Sequence, residues 1–464
     1  MSKLSVSAFL AFAATTSLSP VQAAPVRAKS ADSVVESIGV NLHLGYDDGV
    51  YNEFPRVKAA LQNLGIRHYR DGLENPAFKQ PIKDRHNELG RAGIRGTFLA
   101  SADPAQDLAA AALVADSLEA FEGQNEILNI YVHWDDAKRD AARRHQIDLF
   151  NAVKTSPRWR DFPVIGPSAV GDQAYKALGD LSPYMDFGNA HAYPLGPAPA
   201  VPESNYFKEM ESAQFVAPGK RFFVTETGYQ TGDNKEGNQR VSLTASGKYA
   251  SRLFLENFNR GIVRSYWYEL INEGTDSGQE SNFGLLFNNF SLKPSGFAVK
   301  NLIALLGDAS YNAQTRHWEL PRPNFSPGAL DFTLSGDVTN LHSTLLQKSN
   351  GKFYLCLWQE VSSYNIDNAV EADIPVTPAK VSLHLATSIA SAALFSPTRS
   401  ASAAPLAIVE NQISLSVPDE VVIVELTPKS PILKSPISKK SMKKSASKKS
   451  ASKRKAPVKF SPEN

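Results

Sequence analysis

The sequence has very little cysteine and no apolar run long enough to cross a membrane as a helix. Cys356 is the only cysteine among 464 residues, so an internal disulfide is excluded. It lies in the alternating apolar run 353–358, which favours a structural place in a core strand over a reactive thiol. No apolar segment reaches the roughly 20 residues that a membrane-spanning helix needs. The sequence therefore predicts a soluble protein without internal disulfides.

The motifs of metallohydrolases and serine hydrolases are also missing. The sequence contains no His-Glu-x-x-His, its nine histidines are scattered, and it has no Gly-x-Ser-x-Gly nucleophile elbow. No glycine-rich phosphate-binding fingerprint follows the first predicted strand. We therefore expect neither a metal nor a cofactor.

The N-terminal segment has the layout of a secretory signal peptide. Residues 1–23 combine Lys3, an apolar run over 6–14 and the small-residue exit Val21-Gln22-Ala23. We predict cleavage near Ala23 or Ala24 and a mature protein that is secreted or periplasmic. The alternative is a frayed N-terminal tail.

Charge is distributed unevenly along the chain. Residues 429–464 hold eleven lysines and Arg454 against Glu463, which is +11 within a net charge of +2, and apart from Lys3 the rest carries −10. This negative body argues against nucleic acid or an anionic membrane as its partner. The Lys/Ser-rich tail 428–464 has almost nothing to bury and is predicted to be disordered. Either it contacts acidic surfaces such as anionic polysaccharide, lipid headgroups or nucleic acid, or it is a solvated tail without a specific partner.

Short apolar runs alternate with helical patterns up to about residue 311. Eight β-rich runs with intervening helices match the count and length of a (β/α)8 barrel, predicted over residues 31–311, better than a doubly wound sheet. The helical patterns are Val57–Leu64, Leu108–Glu119, Asp140–Lys154 and Gly247–Asn259. The predicted strands are Ile38–Leu44, Ile66–Gly72, Ile94–Ala100, Ala120–Glu126, Phe162–Ala169, Met185–Pro194, Phe222–Tyr229 and Ile262–Ile271.

The rhythm changes after about residue 312. Alternating apolar runs are separated by turn residues and by no helix, which predicts an antiparallel β-sandwich over residues 312–427. Such a domain either packs against the barrel or binds glycan. The predicted strands are Ala329–Leu334, Leu341–Leu346, Phe353–Trp358, Val381–Leu385, Gln412–Val417 and Val421–Leu426.

Two carboxylates directly follow apolar runs at the carboxyl ends of predicted barrel strands, where barrel active sites form. The fourth strand is predicted to end in Gly123-Gln124-Asn125-Glu126, and the seventh reads Phe222-Phe223-Val224-Thr225-Glu226-Thr227-Gly228-Tyr229. Cleavage of a glycosidic bond with retention needs two such carboxyl groups about 5–5.5 Å apart. One group protonates the leaving oxygen and later activates water, while the other attacks the anomeric carbon.

The Asn-Glu pair on strand four and the Glu on strand seven resemble the signature of glycoside hydrolase clan A. The resemblance covers the barrel and the appended sandwich. It implies that Glu126 is the acid/base and Glu226 the nucleophile. It also implies a carbohydrate substrate and no cofactor. The sequence departs from the commoner Asn-Glu-Pro form of the clan, because Ile127 follows Glu126.

The same resemblance implies roles for residues at other strand ends. Arg70 is expected beside the nucleophile, where its charge keeps Glu226 ionised; the alternative is an ion pair with Asp71 or Glu74. Asn125 is expected to bind the sugar 2-hydroxyl. His191 and Tyr193 are candidates by position rather than by resemblance. They close the sixth predicted strand and are expected to tune the acid/base or to contact the nucleophile, although a lone histidine is more often a structural residue.

The eighth strand, Ser265–Leu270, offers an aromatic residue and a carboxylate. Trp267 is expected to stack on the apolar face of a pyranose, with a core aromatic as the alternative. Glu269 is expected on the same side of the strand, in reach of a substrate hydroxyl. His43 at the end of strand one is a further subsite candidate. Glu122 lies within the predicted fourth strand and is not assigned the acid role.

These residues together predict a retaining hydrolase of β-linked oligo- or polysaccharides. The negative charge of Glu226 is expected to keep Glu126 protonated until the glycosyl-enzyme forms. Two other functions remain open. One is an exported glycan-binding or scaffold protein with a non-catalytic barrel, and the other is transglycosylation by the same residues.

Overall fold

The computed structural model describes residues 25–46, 49–72, 80–233, 239–366 and 371–430. The predicted signal peptide and residues 431–464 of the predicted tail lie outside this part of the chain, so both stay predictions. Within the described residues, no helix has the length and apolar character that crossing a membrane requires.

Eight parallel strands form the sheet at the centre of the fold. In chain order, the strands lie side by side as 5-4-3-2-1-8-7-6. A parallel bridge between Ile165 and Phe187 joins the fifth strand to the segment before the sixth and closes the barrel. The barrel strands are Ile38–Asn41, His68–Gly72, Arg95–Leu99, Leu118–Glu122, Val164–Ile165, Gly188–His191, Phe222–Thr227 and Arg264–Trp267.

Helices connect these strands, and local capping sets several of their ends. The Asp135 carboxylate accepts a hydrogen bond from the Lys138 amide (2.8 Å), and Ser242 caps its helix in the same way through Ala245. Gly65 ends the second helix at φ 77°, a conformation that glycine adopts at little cost. The helices are Asp32–Glu36, Phe54–Leu64, Gln80–Arg91, Pro104–Leu113, Asp136–Thr155, Asp172–Leu178, Asn205–Ala213, Leu243–Asn259 and Pro294–Leu306, with 3₁₀ turns at Val50–Asn52, Ser182–Tyr184 and Glu280–Asn282.

The barrel interior has an apolar layer with a polar layer at the carboxyl ends of the strands. Gly39 leaves room for a tyrosine ring, since a Cβ there would lie 2.4 Å from Tyr266. The next inward residues along the strands are polar and buried, and they form the floor of a cleft. The apolar layer consists of Ala120, Ile165, Phe223 and Tyr266. The polar floor consists of Asn41, Arg70, Glu122, Asn189 and Thr225.

Two packed antiparallel sheets follow the barrel and share one apolar core. Lys29–Ser30, which precedes the barrel, pairs in parallel with Leu341–Gln347 at the edge of the larger sheet. The larger sheet also contains Phe353–Gln359, Val422–Pro428, Ile389–Ser396 and Ser400–Leu406, and the smaller one contains Phe332–Gly336, Ala379–Leu385 and Gln412–Val417. Short ribbons pair Val26–Arg27 with Ala329–Leu330, Ser310–Asn312 with His317–Glu319, and Tyr364–Asn365 with Ala372–Asp373.

A buried ion pair fastens the sandwich to a barrel helix. Arg252, on the helix Leu243–Asn259, is fully buried and donates to the Glu360 carboxylate at 2.9–3.0 Å. It also donates to the carbonyls of Val361 and Asp419 (2.9 Å each). The sandwich therefore packs against the barrel.

The structure confirms the predicted (β/α)8 barrel followed by a β-sandwich. Seven of the eight predicted apolar runs contain a barrel strand, and the fourth, Ala120–Glu126, overlaps the strand Leu118–Glu122. The predicted helix Leu108–Glu119 is wrong at its end. It stops at Leu113, because Leu118–Glu122 forms the fourth strand between its two neighbours. Its alanine content favours a helix, and the strand pairing overrides that preference.

Candidate active site

A cleft of about 990 Å³ opens at the carboxyl ends of the barrel strands. Its volume lies at the upper end of the range for small-molecule sites. Seven of the nine residues expected at the site line it, and they come from strands far apart in the sequence. These are His43, Arg70, Asn125, Glu126, His191, Tyr193 and Glu226.

The carboxylate of Glu226 is held at both oxygens. Arg70 donates to Oε1 at 2.6 Å and the Tyr193 hydroxyl donates to Oε2 at 2.8 Å. Glu226 belongs to the strand Phe222–Thr227, which is buried along its whole length. These two donors fix the orientation of the carboxylate in the cleft.

Arg70 connects the buried polar floor to the cleft. Its Nε and Nη2 donate to the two oxygens of Glu122 at 2.8 and 2.9 Å, and its Nη1 also reaches Asn41 at 3.0 Å. This bidentate pair is the geometry that arginine favours with a carboxylate. The guanidinium of Arg70 thus pairs with Glu122 and not with Asp71, which was one alternative. Glu74, the other alternative, lies outside the described residues.

The fourth strand ends at Glu122, which corrects the sequence-based boundary at Glu126. Glu122 is fully buried and accepts hydrogen bonds from Asn189 and Thr225 (2.9 Å each) in addition to Arg70. A carboxylate so completely paired has no path to a substrate oxygen. Glu122 is therefore a positioning residue for Arg70.

Glu126 lies in the loop after that strand and reaches the cleft. Its backbone has φ 40°, which is uncommon for a residue with a side chain. The Ser168 hydroxyl accepts the Glu126 amide hydrogen at 2.8 Å and holds this conformation. A strained backbone of this kind is often found where a side chain must be aimed at a substrate.

The imidazole of His191 lies between the two cleft carboxylates. Its Nδ1 is 2.9 Å from Glu126 Oε1 and 3.4 Å from Glu226 Oε2. One carboxylate oxygen of each glutamate and a His191 nitrogen all lie within 4.8 Å of one another. His191 Nε2 faces the Thr225 hydroxyl at 3.2 Å, so the ring is held from behind.

Burial and neighbouring charges shift the pKa values of Glu126 and His191 in opposite directions. Burial raises the pKa of Glu126, but the hydrogen bond with His191 and its charge outweigh burial and the net pKa lies below the usual value. Burial lowers the pKa of His191, but the charge of Glu226 and the bond to Glu126 leave it above 6.5. Both directions favour the proton on His191 over Glu126 in the free protein. The direction for Glu126 is opposite to the one expected from the charge of Glu226 alone.

Asn125 has one side of its amide occupied by the protein. Its Oδ1 accepts a hydrogen bond from Arg70 Nη2 at 2.7 Å. The amide NH₂ group is therefore the side that is available to donate to a ligand in the cleft. This arrangement fits the expected contact with a sugar hydroxyl.

Trp267 does not lie in the cleft, so the predicted stacking role is wrong. It is fully buried, and its indole nitrogen donates to the Phe283 carbonyl at 3.0 Å. Its ring packs near Tyr229 and Phe254, with centroid distances of 6.2 and 6.4 Å. It faces the surrounding helix rather than the cleft. The alternative interpretation as a core aromatic is the correct one.

Glu269 does not line the cleft either, which corrects its predicted contact with a substrate hydroxyl. It is fully buried, and its Oε2 accepts a hydrogen bond from Tyr51 at 2.7 Å. Burial, and then the charge of Glu273, raise its pKa well above 4.5. His43 does reach the cleft, where its ring stacks on Tyr46 with centroids 4.7 Å apart.

Several aromatic residues of the cleft were not expected from the sequence. Tyr268 follows Trp267 and faces the cleft, with its ring edge-on to His43 and Phe283. Because side chains alternate along a strand, Tyr268 faces the opposite side from Trp267, but the sequence does not show which of the two sides is the cleft. Tyr131, 83% exposed, stands on the loop after Glu126 at the rim of the cleft, and no strand pattern predicts its position.

The sequence matches no protein-family profile and no curated protein. Solved structures do match it in fold. A family 39 glycoside hydrolase from the gut symbiont Bacteroides cellulosilyticus WH2 has a TM-score of 0.55 at 15% identity, covering 87% of this chain and 83% of that chain. A monomeric β-xylosidase from Caulobacter crescentus CB15 has a TM-score of 0.55 at 14% identity, covering 88% and 98%. A family 51 α-L-arabinofuranosidase from Bifidobacterium longum has a TM-score of 0.53 at 12% identity, covering 88% and 98%.

The fold is that of these glycoside hydrolases. The matches cover most of the chain, including the sandwich after the barrel. The resemblance to clan A inferred from strands four and seven therefore agrees with the structural neighbours.

Proposed function

We propose that the protein is a retaining glycoside hydrolase that cleaves β-linked carbohydrate by double displacement. The observation that carries the proposal is the separation of the two cleft carboxylates. Oxygens of Glu126 and Glu226 approach within 4.8 Å. Retaining enzymes have their carboxyl groups about 5–5.5 Å apart, whereas inverting enzymes leave roughly 6.5–9.5 Å for a water molecule.

In the first step, a Glu226 oxygen attacks the anomeric carbon and the bond to the leaving oxygen breaks. The leaving oxygen takes a proton from Glu126, so that a sugar alcohol departs and a glycosyl ester remains on Glu226. Arg70 and Tyr193 hold the attacking carboxylate at 2.6 and 2.8 Å and orient it toward the cleft. This positioning lowers the entropic part of the barrier.

His191 supplies the proton that Glu126 donates. His191 Nδ1 lies 2.9 Å from Glu126 Oε1, so a proton held on Nδ1 passes along this hydrogen bond as the leaving oxygen develops charge. In the second step the Glu126 carboxylate accepts a proton from water as the water oxygen attacks the anomeric carbon. The ester bond to Glu226 breaks, and the sugar leaves with its original configuration.

A product profile tests the proposal. The wild-type protein, the Glu226→Gln variant and the Glu211→Gln variant would be incubated with β-glycans, aryl β-glycosides and α-L-arabinofuranosides, and the products separated by chromatography. Glu211 is exposed and lies outside the cleft lining, so its variant controls for the loss of a surface charge. The panel includes xylosides and arabinofuranosides because structural neighbours carry these activities in their names.

We expect release by the wild type and by Glu211→Gln, and none by Glu226→Gln. Equal release by all three would remove Glu226 from the mechanism. Products longer than the substrate would indicate transglycosylation. If the folded wild type released no product from any substrate of the panel, the result would contradict the proposal and favour a glycan-binding protein.

A further inference from the structure

A second group of ionisable side chains lies under one wall of the cleft. His43, Glu269 and Glu273 each present one atom to a common point, and the three atoms lie within 4.8 Å of one another. We call these three residues the wall cluster. His43 comes from the first barrel strand's loop, and the two glutamates follow the eighth strand. The proposed hydrolysis uses none of the three.

Distances in the wall cluster are close to the spacing of ligand atoms around a small metal ion. His43 Nε2 is 3.4 Å from Glu273 Oε1 and 3.7 Å from Glu269 Oε2. Bonds of about 2.0–2.2 Å in tetrahedral zinc sites place the ligand atoms roughly 3.3–3.6 Å apart. The distances are too long for good hydrogen bonds between the same atoms.

Each residue of the wall cluster has a buried polar atom without a hydrogen-bond partner, and two of these atoms, His43 Nε2 and Glu273 Oε1, face each other at 3.4 Å. Among the described residues, none makes a hydrogen bond to His43 Nε2, Glu269 Oε1 or Glu273 Oε1. Glu269 is fully buried, so bulk solvent does not supply the missing donor to its carboxylate. Buried polar groups are nearly always satisfied, and each exception calls for a bound ion, a water or strain as its explanation.

The local charge balance also fits a cation. The ammonium of Lys293 donates to Thr231 Oγ1 and to the Asn282 carbonyl, and not to the carboxylates of the wall cluster. A neutral imidazole offers a lone pair, and histidine is a common metal ligand. A neutral imidazole with two carboxylates balances a divalent charge.

The structure assigns a divalent metal site, of the zinc type, to His43, Glu269 and Glu273. Three protein ligands of nitrogen and oxygen leave a fourth position for water or a ligand hydroxyl. Calcium prefers six to eight oxygen ligands, and magnesium prefers octahedral oxygen, so neither suits one imidazole and two carboxylates as well. The Tyr51 hydroxyl, 2.7 Å from Glu269 Oε2, would orient that carboxylate from the outer shell.

A bound ion would hold one wall of the cleft in position. His43 and its neighbours Tyr46 and Tyr268 line the cleft, while Glu269 lies behind them. An ion joining His43 to the two glutamates would fix this aromatic wall in place.

The test is calorimetric titration of the full chain with zinc chloride after treatment with a chelator. The measurement includes the wild type, His43→Gln and Glu273→Gln. Glu273 is partly exposed, so its variant is expected to keep the fold, which circular dichroism and thermal melting would check. Because the pair Glu126 and Glu226 also offers carboxylates to a metal, Glu226→Gln controls for binding there. His342→Gln controls for a third group, Glu256, His342 and Glu360.

We expect one zinc per chain in the wild type and in both controls, a raised melting temperature on binding, and at least tenfold weaker binding in His43→Gln and Glu273→Gln. Binding lost in Glu226→Gln or His342→Gln instead would move the ion elsewhere and overturn the assignment. Equal affinity in all variants, or no binding by the folded wild type, would also overturn it. None of these readouts depends on glycosidase activity, so failure of the metal site is distinguishable from failure of the proposed function.

Discussion

At the scale of single residues, one buried guanidinium organises the polar floor of the barrel. Arg70 is held by Glu122 and in turn holds Glu226 and Asn125. The sequence points to Arg70, Glu126 and Glu226 because each is polar and lies at or near the end of an apolar run. It does not show that Glu122 is the partner of Arg70, since that contact depends on which strands become neighbours. The cleft chemistry therefore comes from strand order as much as from residue type.

A substitution of His191 tests where the acid proton resides. The Glu126–His191 pair holds one proton below the raised pKa of His191 and loses it as the pH rises through that value. Activity of the wild type should therefore fall on the alkaline side as the pH rises through the raised pKa of His191. In His191→Gln the proton must lie on Glu126, whose usual pKa is 4.5. We expect the alkaline limb of kcat/KM to move down by about one pH unit or more.

His317→Gln is the matched control, because His317 is exposed on the short ribbon after the barrel. Its pH profile should coincide with that of the wild type. An unchanged alkaline limb in His191→Gln would place the proton on another group.

At the scale of elements, the eighth strand shows how far a sequence pattern reaches. The run Ile262–Ile271 is correctly predicted as a strand, but its pattern does not show which side faces the cleft. No residue of this strand is restricted to one side by its chemistry, since Ser265 is small and Tyr266, Trp267 and Tyr268 are aromatic. In the structure, Trp267 is buried against the surrounding helix, and Tyr268 therefore faces the cleft.

Paired substitutions on this strand test the assignment. Tyr268→Ala should raise KM for carbohydrate substrates several-fold with little change in the melting temperature, because the ring is part of the cleft wall. Trp267→Phe should leave KM nearly unchanged and lower the free energy of unfolding by about 1–3 kcal/mol, because it removes a buried hydrogen bond and leaves a void. Kinetics and denaturant unfolding of both variants give the comparison. If Trp267→Phe raised KM and Tyr268→Ala mainly lowered the free energy of unfolding, Trp267 would be the residue that stacks on the sugar.

The sandwich shows a different limit of sequence analysis. The runs rich in Val, Leu and Phe are correctly predicted as strands, whereas Ile389–Ser396 and Ser400–Leu406 were not predicted. These two strands are rich in serine and alanine, which have low β-propensity, and they form because the large sheet continues past Val422–Pro428. The strand Lys29–Ser30 is too short to carry any pattern.

At the scale of the whole molecule, barrel and sandwich are joined through charge as well as apolar packing. Glu360 is buried, and its carboxylate pairs with Arg252. It also accepts hydrogen bonds from the Trp358 indole at 3.0 Å and from the Ala200 amide at 2.7 Å. Ala200 belongs to the loop after the sixth barrel strand, which also carries Tyr193. The sandwich thus supports a loop whose base holds the proposed nucleophile.

Removal of Glu360 tests this coupling. Glu360→Ala leaves the Arg252 charge buried without its carboxylate, and we expect the free energy of unfolding to fall by about 3–5 kcal/mol. Glu88→Ala removes a half-exposed partner of Lys58 and should cost at most about 1 kcal/mol. Denaturant unfolding of the two variants gives the comparison. Equal losses would show that the buried pair contributes no more than a surface pair.

The most direct test of the central claim is chemical rescue of two variants by azide. Glu226→Ala and Glu126→Ala would each be incubated with sodium azide and the aryl β-glycoside that the wild type cleaves best, and the anomeric configuration of the glycosyl azide would be determined by proton NMR. If Glu226 is the nucleophile, azide replaces it in Glu226→Ala and gives the α-azide. If Glu126 is the acid/base, the glycosyl ester still forms in Glu126→Ala and azide gives the β-azide. The same anomer from both variants, or the reverse assignment, would contradict the proposed roles.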